Sequence, residues 1–289
     1  MIRGARSLPN LLDALKTVPN VIAAELRPPR AELEGAAGIE AWIDTYHAVR
    51  RVTRQDAFVF LTDSAVGAEE EDNVRHLVTN LGPDVARDRI VPFLTSKHSR
   101  DYCLAYAERA RQHGLPALVV LGGDRHVGTP RCVEHAFELR QAIRARAPDL
   151  LLGGWANPYS DPAMQARLLA DPQFTGEFFL TQIVSHHRLD AVRRFLAELD
   201  REAVRLPGLF GVFFYRSANP RTLAMLSRFL PVPVDDLSRE FDEVRDPIEV
   251  CARTVRAMLD AGARHFYISN LPLDRVRETL DAIVERAGT

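Results

Sequence analysis

The chain has 289 residues, of which 46% are hydrophobic and 26% charged, enough to bury a large core and within the size range of one α/β barrel. Its 37 basic and 39 acidic residues leave a formal net charge of −2 without any basic block, which argues against a nucleic-acid partner. No window approaches the roughly 20 apolar residues of a membrane span, and Cys103, Cys132 and Cys251 stand far apart without a Cys-x-x-Cys pair, so the expectation is a cytoplasmic protein with reduced thiols.

In chain order, a helical pattern over 7–17 precedes an apolar run at 21–26 that carries Glu25 and is stopped by Pro28-Pro29. Helix 38–54 leads to strand 57–62, which ends at Thr62-Asp63, and helix 70–80 leads to strand 89–95, which ends at Thr95-Ser96-Lys97. Ser99 opens helix 99–113 and Gly114 stops it; strand 117–122 then runs into Gly122-Gly123-Asp124. Pro130 opens helix 131–147, and strand 150–156 ends in Trp155-Ala156-Asn157. Helix 161–170, strand 177–183 with Thr181-Gln182, helix 188–203 and strand 209–215 with Phe214-Tyr215 follow. Asn219-Pro220 opens helix 219–229, Asp246-Pro247 opens helix 247–261, and strand 265–270 ends at Ser269-Asn270 before a last helix at 272–287.

Eight apolar runs without strict alternation, separated by helical patterns at a βα period, predict one (β/α)8 TIM barrel over residues 1–289 with an extra N-terminal helix. In such a barrel the polar groups at the eight strand ends face one shared site. Glu25 is an acid within an apolar strand, and desolvation there raises its pKa toward that of a general acid; a bottom-layer ion pair is the structural alternative. Asp124 follows two glycines that let a ligand approach the backbone, Gly123 among them, or else it closes its loop as an N-cap or Asx-turn. Gln182 offers a donor and an acceptor on one flat group, suited to a heterocycle edge or to fixing the next loop. Trp155 after Gly153-Gly154 makes room for a stacked ring, or simply closes the barrel top.

The histidines predict no metal. His186 and His187 are adjacent, so their side chains are expected to diverge as a solvated loop pair without a third ligand. His98 and His126, in the loops after strands three and four, keep a metal-dependent hydrolase open as a minor reading.

These strand ends resemble the methylenetetrahydrofolate reductases from Val21 to Asn270. Ala-Glu-Leu-Arg-Pro-Pro at 24–29 is similar to that family's strand-one motif, Leu-Gly-Gly-Asp at 121–124 to its Leu-Arg-Gly-Asp, Leu-Thr-Gln at 180–182 to its Ile-Thr-Gln, and Phe-Tyr-Ile-Ser-Asn at 266–270 to its last strand. The resemblance implies Glu25 as the catalytic acid, Asp124 as a group holding the pterin and stabilising its cation, and Gln182 and Asn270 as substrate-binding residues; the need to hold a nicotinamide over the reacting carbon adds Phe214 beside the substrate and Thr62, Trp155 and Gly123 near the cofactor. Where FAD-holding members carry a His, an Arg and a basic pair, this chain has Phe93, Gly122 and Ala170-Asp171, so the implied reaction passes hydride from NADH to the folate without bound flavin. Leu271 replaces the arginine that follows the last motif, which turns attention to Arg275, Arg216 or Lys97 for the folate tail. An FAD enzyme and a folate- or partner-binding barrel without catalysis are the other readings, and a monomer or small homo-oligomer is expected.

Overall fold

The computed structural model describes residues 9–29, 33, 35–54, 57–63, 81–82 and 85–289. Its eight strands are β1 (Ile22–Leu26), β2 (Val59–Leu61), β3 (Ile90–Thr95), β4 (Ala117–Leu121), β5 (Leu151–Ala156), β6 (Phe178–Val184), β7 (Gly208–Phe213) and β8 (His265–Ser269). All neighbours pair in parallel and β8 returns to β1, which closes the barrel. The described helices are α1 (Leu11–Thr17), α2 (Gly35–Thr53), α3 (Arg100–Gln112), α4 (Ala136–Arg146), α5 (Pro162–Ala170), α6 (Leu189–Arg201), α7 (Pro220–Leu226), α8 (Val234–Val244), α9 (Pro247–Asp260) and α10 (Val276–Ala287). The helix expected at 70–80 lies outside the described residues.

Strand alternation sorts the apolar residues into two cores. Ala23, Phe60, Val91, Phe93, Val119, Phe178, Leu180, Leu209 and Tyr267 fill the barrel, joined from below by Leu11, Ala14 and Leu15 of α1, which stopper its amino-terminal end. Ala24, Leu26, Val59, Leu61, Leu94, Leu118, Val120, Leu152, Phe179, Phe210, Val212, Phe266 and Ile268 point outward and pack under the helices. Two strand glycines are required by neighbouring rings: a Cβ on Gly153 would collide with Phe178, and one on Gly211 with Tyr267.

Asn219, Ser99 and Asp246 cap their helices through side-chain oxygens, as their positions before helical patterns predict. The expected start at Pro130 is displaced, because α4 begins at Ala136 behind His135 and residues 131–135 belong to the loop over β4. Helix α8 was not anticipated. It begins behind Pro233, whose fixed φ suits the residue before a first turn, and Asp235 and Asp236 complement that turn.

Candidate functional site

Glu25 points into the barrel at its carboxyl-terminal mouth, paired in register with Phe60 of β2. Phe60 lies against Phe93 at a ring separation of 6.1 Å and against Tyr267 at 6.3 Å, so the acid stands on an aromatic floor that cannot solvate a charge. Burial therefore pushes the Glu25 carboxyl up from its ordinary 4.5 to about 7, while the Ser269 hydroxyl, which donates to Glu25 Oε1 at 2.9 Å, pulls it partly back down. Its charge in turn adds to the burial that raises the Tyr267 phenol. Glu25 therefore sits one residue before the end of β1, at the carboxyl-terminal layer and not in the bottom layer, with burial as the main influence on its carboxyl.

Beside it, Thr62 ties β2 to β1 by donating its backbone N–H to Leu26 O at 3.0 Å. Asp63 is a residue that sequence reasoning passed over. Its Oδ2 accepts from the Thr95 backbone N–H at 2.6 Å and from the Thr95 hydroxyl at 2.9 Å, and the same carboxylate meets His98 Nε2 at 2.9 Å. The signal was the pair of polar residues closing β2 and β3, whose equivalent positions a parallel register brings side by side. His98 is thereby held by a carboxylate, and among the described residues neither it nor His126 belongs to a group able to chelate a metal.

Across the mouth, β4 ends at Gly122-Gly123-Asp124, with Gly123 in the left-handed region at φ 71°. Asp124 Oδ1 accepts from the backbone N–H of His126 at 2.7 Å and of Val127 at 3.0 Å, an Asx-turn. Those two bonds, led by His126, hold its carboxyl below the usual range, and Lys97 adds to the effect. Lys97 itself is 4% exposed and spends its ammonium on Val127 O and Thr129 O, both at 2.6 Å, so it cannot reach for a folate tail. Arg216 donates weakly to Leu271 O at 3.5 Å, and Arg275 lies in solvent beside Asp274.

On the next strands, Trp155 is 36% exposed and pairs in register with Leu180 of β6. A register shift between Leu180 and Ile183 marks a bulge at Thr181-Gln182. The bulge is held by the Tyr267 hydroxyl donating to Thr181 O and by the Gly211 N–H donating to Thr181 Oγ1 at 3.2 Å. Gln182 Oε1 accepts from the Ile183 N–H at 2.9 Å, so the amide carbonyl fixes its own turn. Asn270, at φ 67°, donates from Nδ2 to Phe214 O at 2.9 Å and locks the ends of β7 and β8 together. Phe214 corrects an expectation: it is 5% exposed and packs outward under the helices, because the alternation along β7 puts Phe213, not Phe214, on the barrel side.

The positions compared for flavin also look different in three dimensions. Ala170-Asp171 ends α5 ahead of β6 and so lies on the amino-terminal face, opposite the mouth, where it has no bearing on a cofactor there. Gly122 lacks a side chain, but the guanidinium of Arg131 lies against it and donates to Gly123 O, returning a cation to that place from the loop. Phe93 is buried within the barrel.

His186 and His187 overturn two expectations. A 3-10 turn (His186–Arg188) after β6 folds the two rings to a centroid separation of 3.9 Å, and both reach the buried carboxylate of Glu240 on α8. They neither diverge nor form a solvated pair.

No protein-family model matches this chain, and no curated protein sequence matches it. Solved structures share its fold. A protein from Clostridium thermocellum that binds two copies of 5-methyl-5,6,7,8-tetrahydrofolic acid is 17% identical over 95% of this chain and 96% of that one, with a TM-score of 0.67. An F420-dependent secondary alcohol dehydrogenase, in complex with an F420-acetone adduct, is 10% identical over 92% of this chain and 98% of that one, with a TM-score of 0.57. The chain is an eight-stranded parallel barrel like both. Among the described residues, no helix is long and apolar enough to cross a membrane.

Proposed function

We propose that this barrel reduces 5,10-methylenetetrahydrofolate to 5-methyltetrahydrofolate with hydride taken directly from NADH. The observation that carries the reading is Glu25, a carboxyl whose proton is retained to about pH 7 at the mouth of the barrel, within the motif that resembles the reductases. A barrel of the same fold binds the product of this reaction, which supports a folate at such a mouth.

The methylene carbon bridges two nitrogens and accepts hydride only after one C–N bond opens. Glu25 donates its proton to the leaving nitrogen, leaving an iminium ion on the other. Asp124, ionised, faces the developing cation, and the part of Gln182 not engaged with its own turn orients the pterin edge. The nicotinamide supplies the hydride, between walls formed by Trp155 and Thr62 with Gly123 beneath. Glu25 is then reprotonated from water, so one NADH and one proton are consumed for each methyl group formed.

The FAD-containing alternative is favoured by one observation, the Arg131 guanidinium against Gly122, where the resemblance assigns the flavin-holding members an arginine. The test is NADH oxidation by freshly purified protein, with methylenetetrahydrofolate present or absent and no added flavin. Folate-dependent oxidation by colourless protein supports the proposal. Bound folate without NADH oxidation rejects it in favour of a binding barrel.

A further inference from the structure

We infer that His186, His187 and Glu240 form a binding site for one divalent cation of the zinc class. Among the described residues, this is the one group of three His, Cys, Asp or Glu whose donor atoms all lie within 4.8 Å of one another. Both imidazole Nε2 atoms converge on a single oxygen, Glu240 Oε2, at 3.2 Å from His186 and 2.9 Å from His187. Zinc bound tetrahedrally at about 2.0–2.1 Å from nitrogen and oxygen requires ligand atoms about 3.3–3.4 Å apart. Expansion by a few tenths of an ångström therefore admits the ion.

The surroundings prepare each ligand. His186 Nδ1 lies 2.7 Å from Thr254 Oγ1, and the Thr254 hydroxyl has Val250 O as its own acceptor at 3.4 Å. With that hydroxyl turned to Val250, Nδ1–H donates to Thr254 and Nε2 presents a bare lone pair toward a carboxylate oxygen. A cation between them relieves the repulsion, and a hydrogen-bonded partner on the far imidazole nitrogen is the usual support of a metal-bound histidine. Arg253 engages the other carboxylate oxygen, Oε1, at 3.3 Å, and is itself shared with Glu249, which leaves Oε2 for the ion. Glu240 is 6% exposed, so its carboxylate is held inside the fold where both imidazoles reach it.

Access is also built. The two histidines line a cavity of about 590 Å³ with Tyr159, Ser160, Arg188 and Arg194, through which an ion enters and a water completes the fourth position. The three ligands come from the turn after β6 and from α8, with Thr254 on α9, so the ion would pin the α8 insertion to the carboxyl-terminal rim of the barrel.

The test uses tag-free full-length protein, stripped with chelator and titrated with zinc alone. The expected result is one zinc per chain retained through gel filtration and a rise in melting temperature on zinc addition. Glu240→Gln and His187→Gln should each weaken zinc binding by more than about 100-fold, and Thr254→Val by about 10–100-fold, the range for an outer partner. Cobalt(II) in the wild-type protein should give ligand-field bands of low coordination without a thiolate charge-transfer band, which identifies nitrogen and oxygen ligands even if a variant fails to fold. Less than stoichiometric zinc on folded wild-type protein at micromolar free zinc overturns the site, leaving only an imidazole–carboxylate clasp. Retention unchanged in folded Glu240→Gln and His187→Gln, or a cobalt thiolate band, overturns it as well.

Discussion

The Ser269 hydroxyl donates to Glu25 Oε1 at 2.9 Å across the seam where β8 closes onto β1, so the barrel's closure also sets the acidity of its candidate catalyst. Burial raises the carboxyl pKa and this hydrogen bond lowers it, the first effect being the larger. Ser269→Ala should therefore raise the Glu25 pKa further. In a profile of kcat against pH, the descending limb attributed to loss of the acid should move to higher pH than in the wild-type protein, where it centres near 7. An unmoved or acid-shifted limb would show that Ser269 does not act on Glu25.

Glu25→Gln keeps the side chain's shape and removes its proton. Folate-dependent NADH oxidation should fall by about 100-fold or more, the scale of a lost general acid, in protein with wild-type circular dichroism. Turnover near the wild-type level would remove Glu25 from the mechanism.

The same variant reads out stability. With a folded-state pKa near 7 against an ordinary 4.5, the folded chain holds this proton more tightly than the unfolded chain does. Its contribution is thus fully present below about pH 4.5 and is lost as pH rises to about 7. Glu25→Gln does not titrate, so relative to wild type it should gain stability across that window, by on the order of 3 kcal/mol above it. Urea melts at pH 4.5 and pH 8 measure the difference, and equal offsets at the two pH values would contradict a raised pKa.

For Asp124, the Asx-turn separates charge from architecture. Asn keeps an oxygen able to accept from the His126 and Val127 N–H groups, so Asp124→Asn should change stability by less than about 1 kcal/mol, while Asp124→Ala loses the turn. If the carboxylate serves the iminium, Asp124→Asn lowers kcat/KM for the folate by about 10-fold or more. Full activity in Asp124→Asn with loss only in Asp124→Ala would assign the residue to the loop.

Direct hydride transfer requires NADH and folate to be bound together, whereas a tightly held flavin allows them to take turns. Initial-rate lines at several folate concentrations should intersect, and added FAD should not stimulate the rate. Parallel lines with FAD-dependent activity would give the Arg131 cation its flavin.

The barrel was legible in the sequence because buried parallel strands leave continuous apolar runs, and strand ends leave polar punctuation at a steady period. Glu25 stood out for the same reason: a charge in such a run is either desolvated, which raises its pKa, or paired. What stayed hidden depends on direction and on distance along the chain. Phe213 and Phe214 differ only in which side of β7 they occupy, and a one-residue error at a strand end exchanges them. Glu240 lies 53 residues from its partner His187, on a helix outside the predicted elements, and no local spacing announces such a meeting. Arg131 likewise returns to Gly122 only because the loop doubles back.

The hold of Lys97 on Val127 O and Thr129 O is reinforced by the Ser96 hydroxyl on Gly122 O at 2.9 Å and by the Cys132 N–H on Ser96 O at 2.7 Å. The segments after β3 and β4 are thus sewn into one rigid lip. A ligand settling against Gly123 meets a wall already in its final shape, and it forfeits little free energy in ordering that wall. Discrimination on this side of the mouth falls to the outline of the ligand itself: a ring that fits is accepted without adjustment, and a bulkier one is refused because the lip has no slack to give.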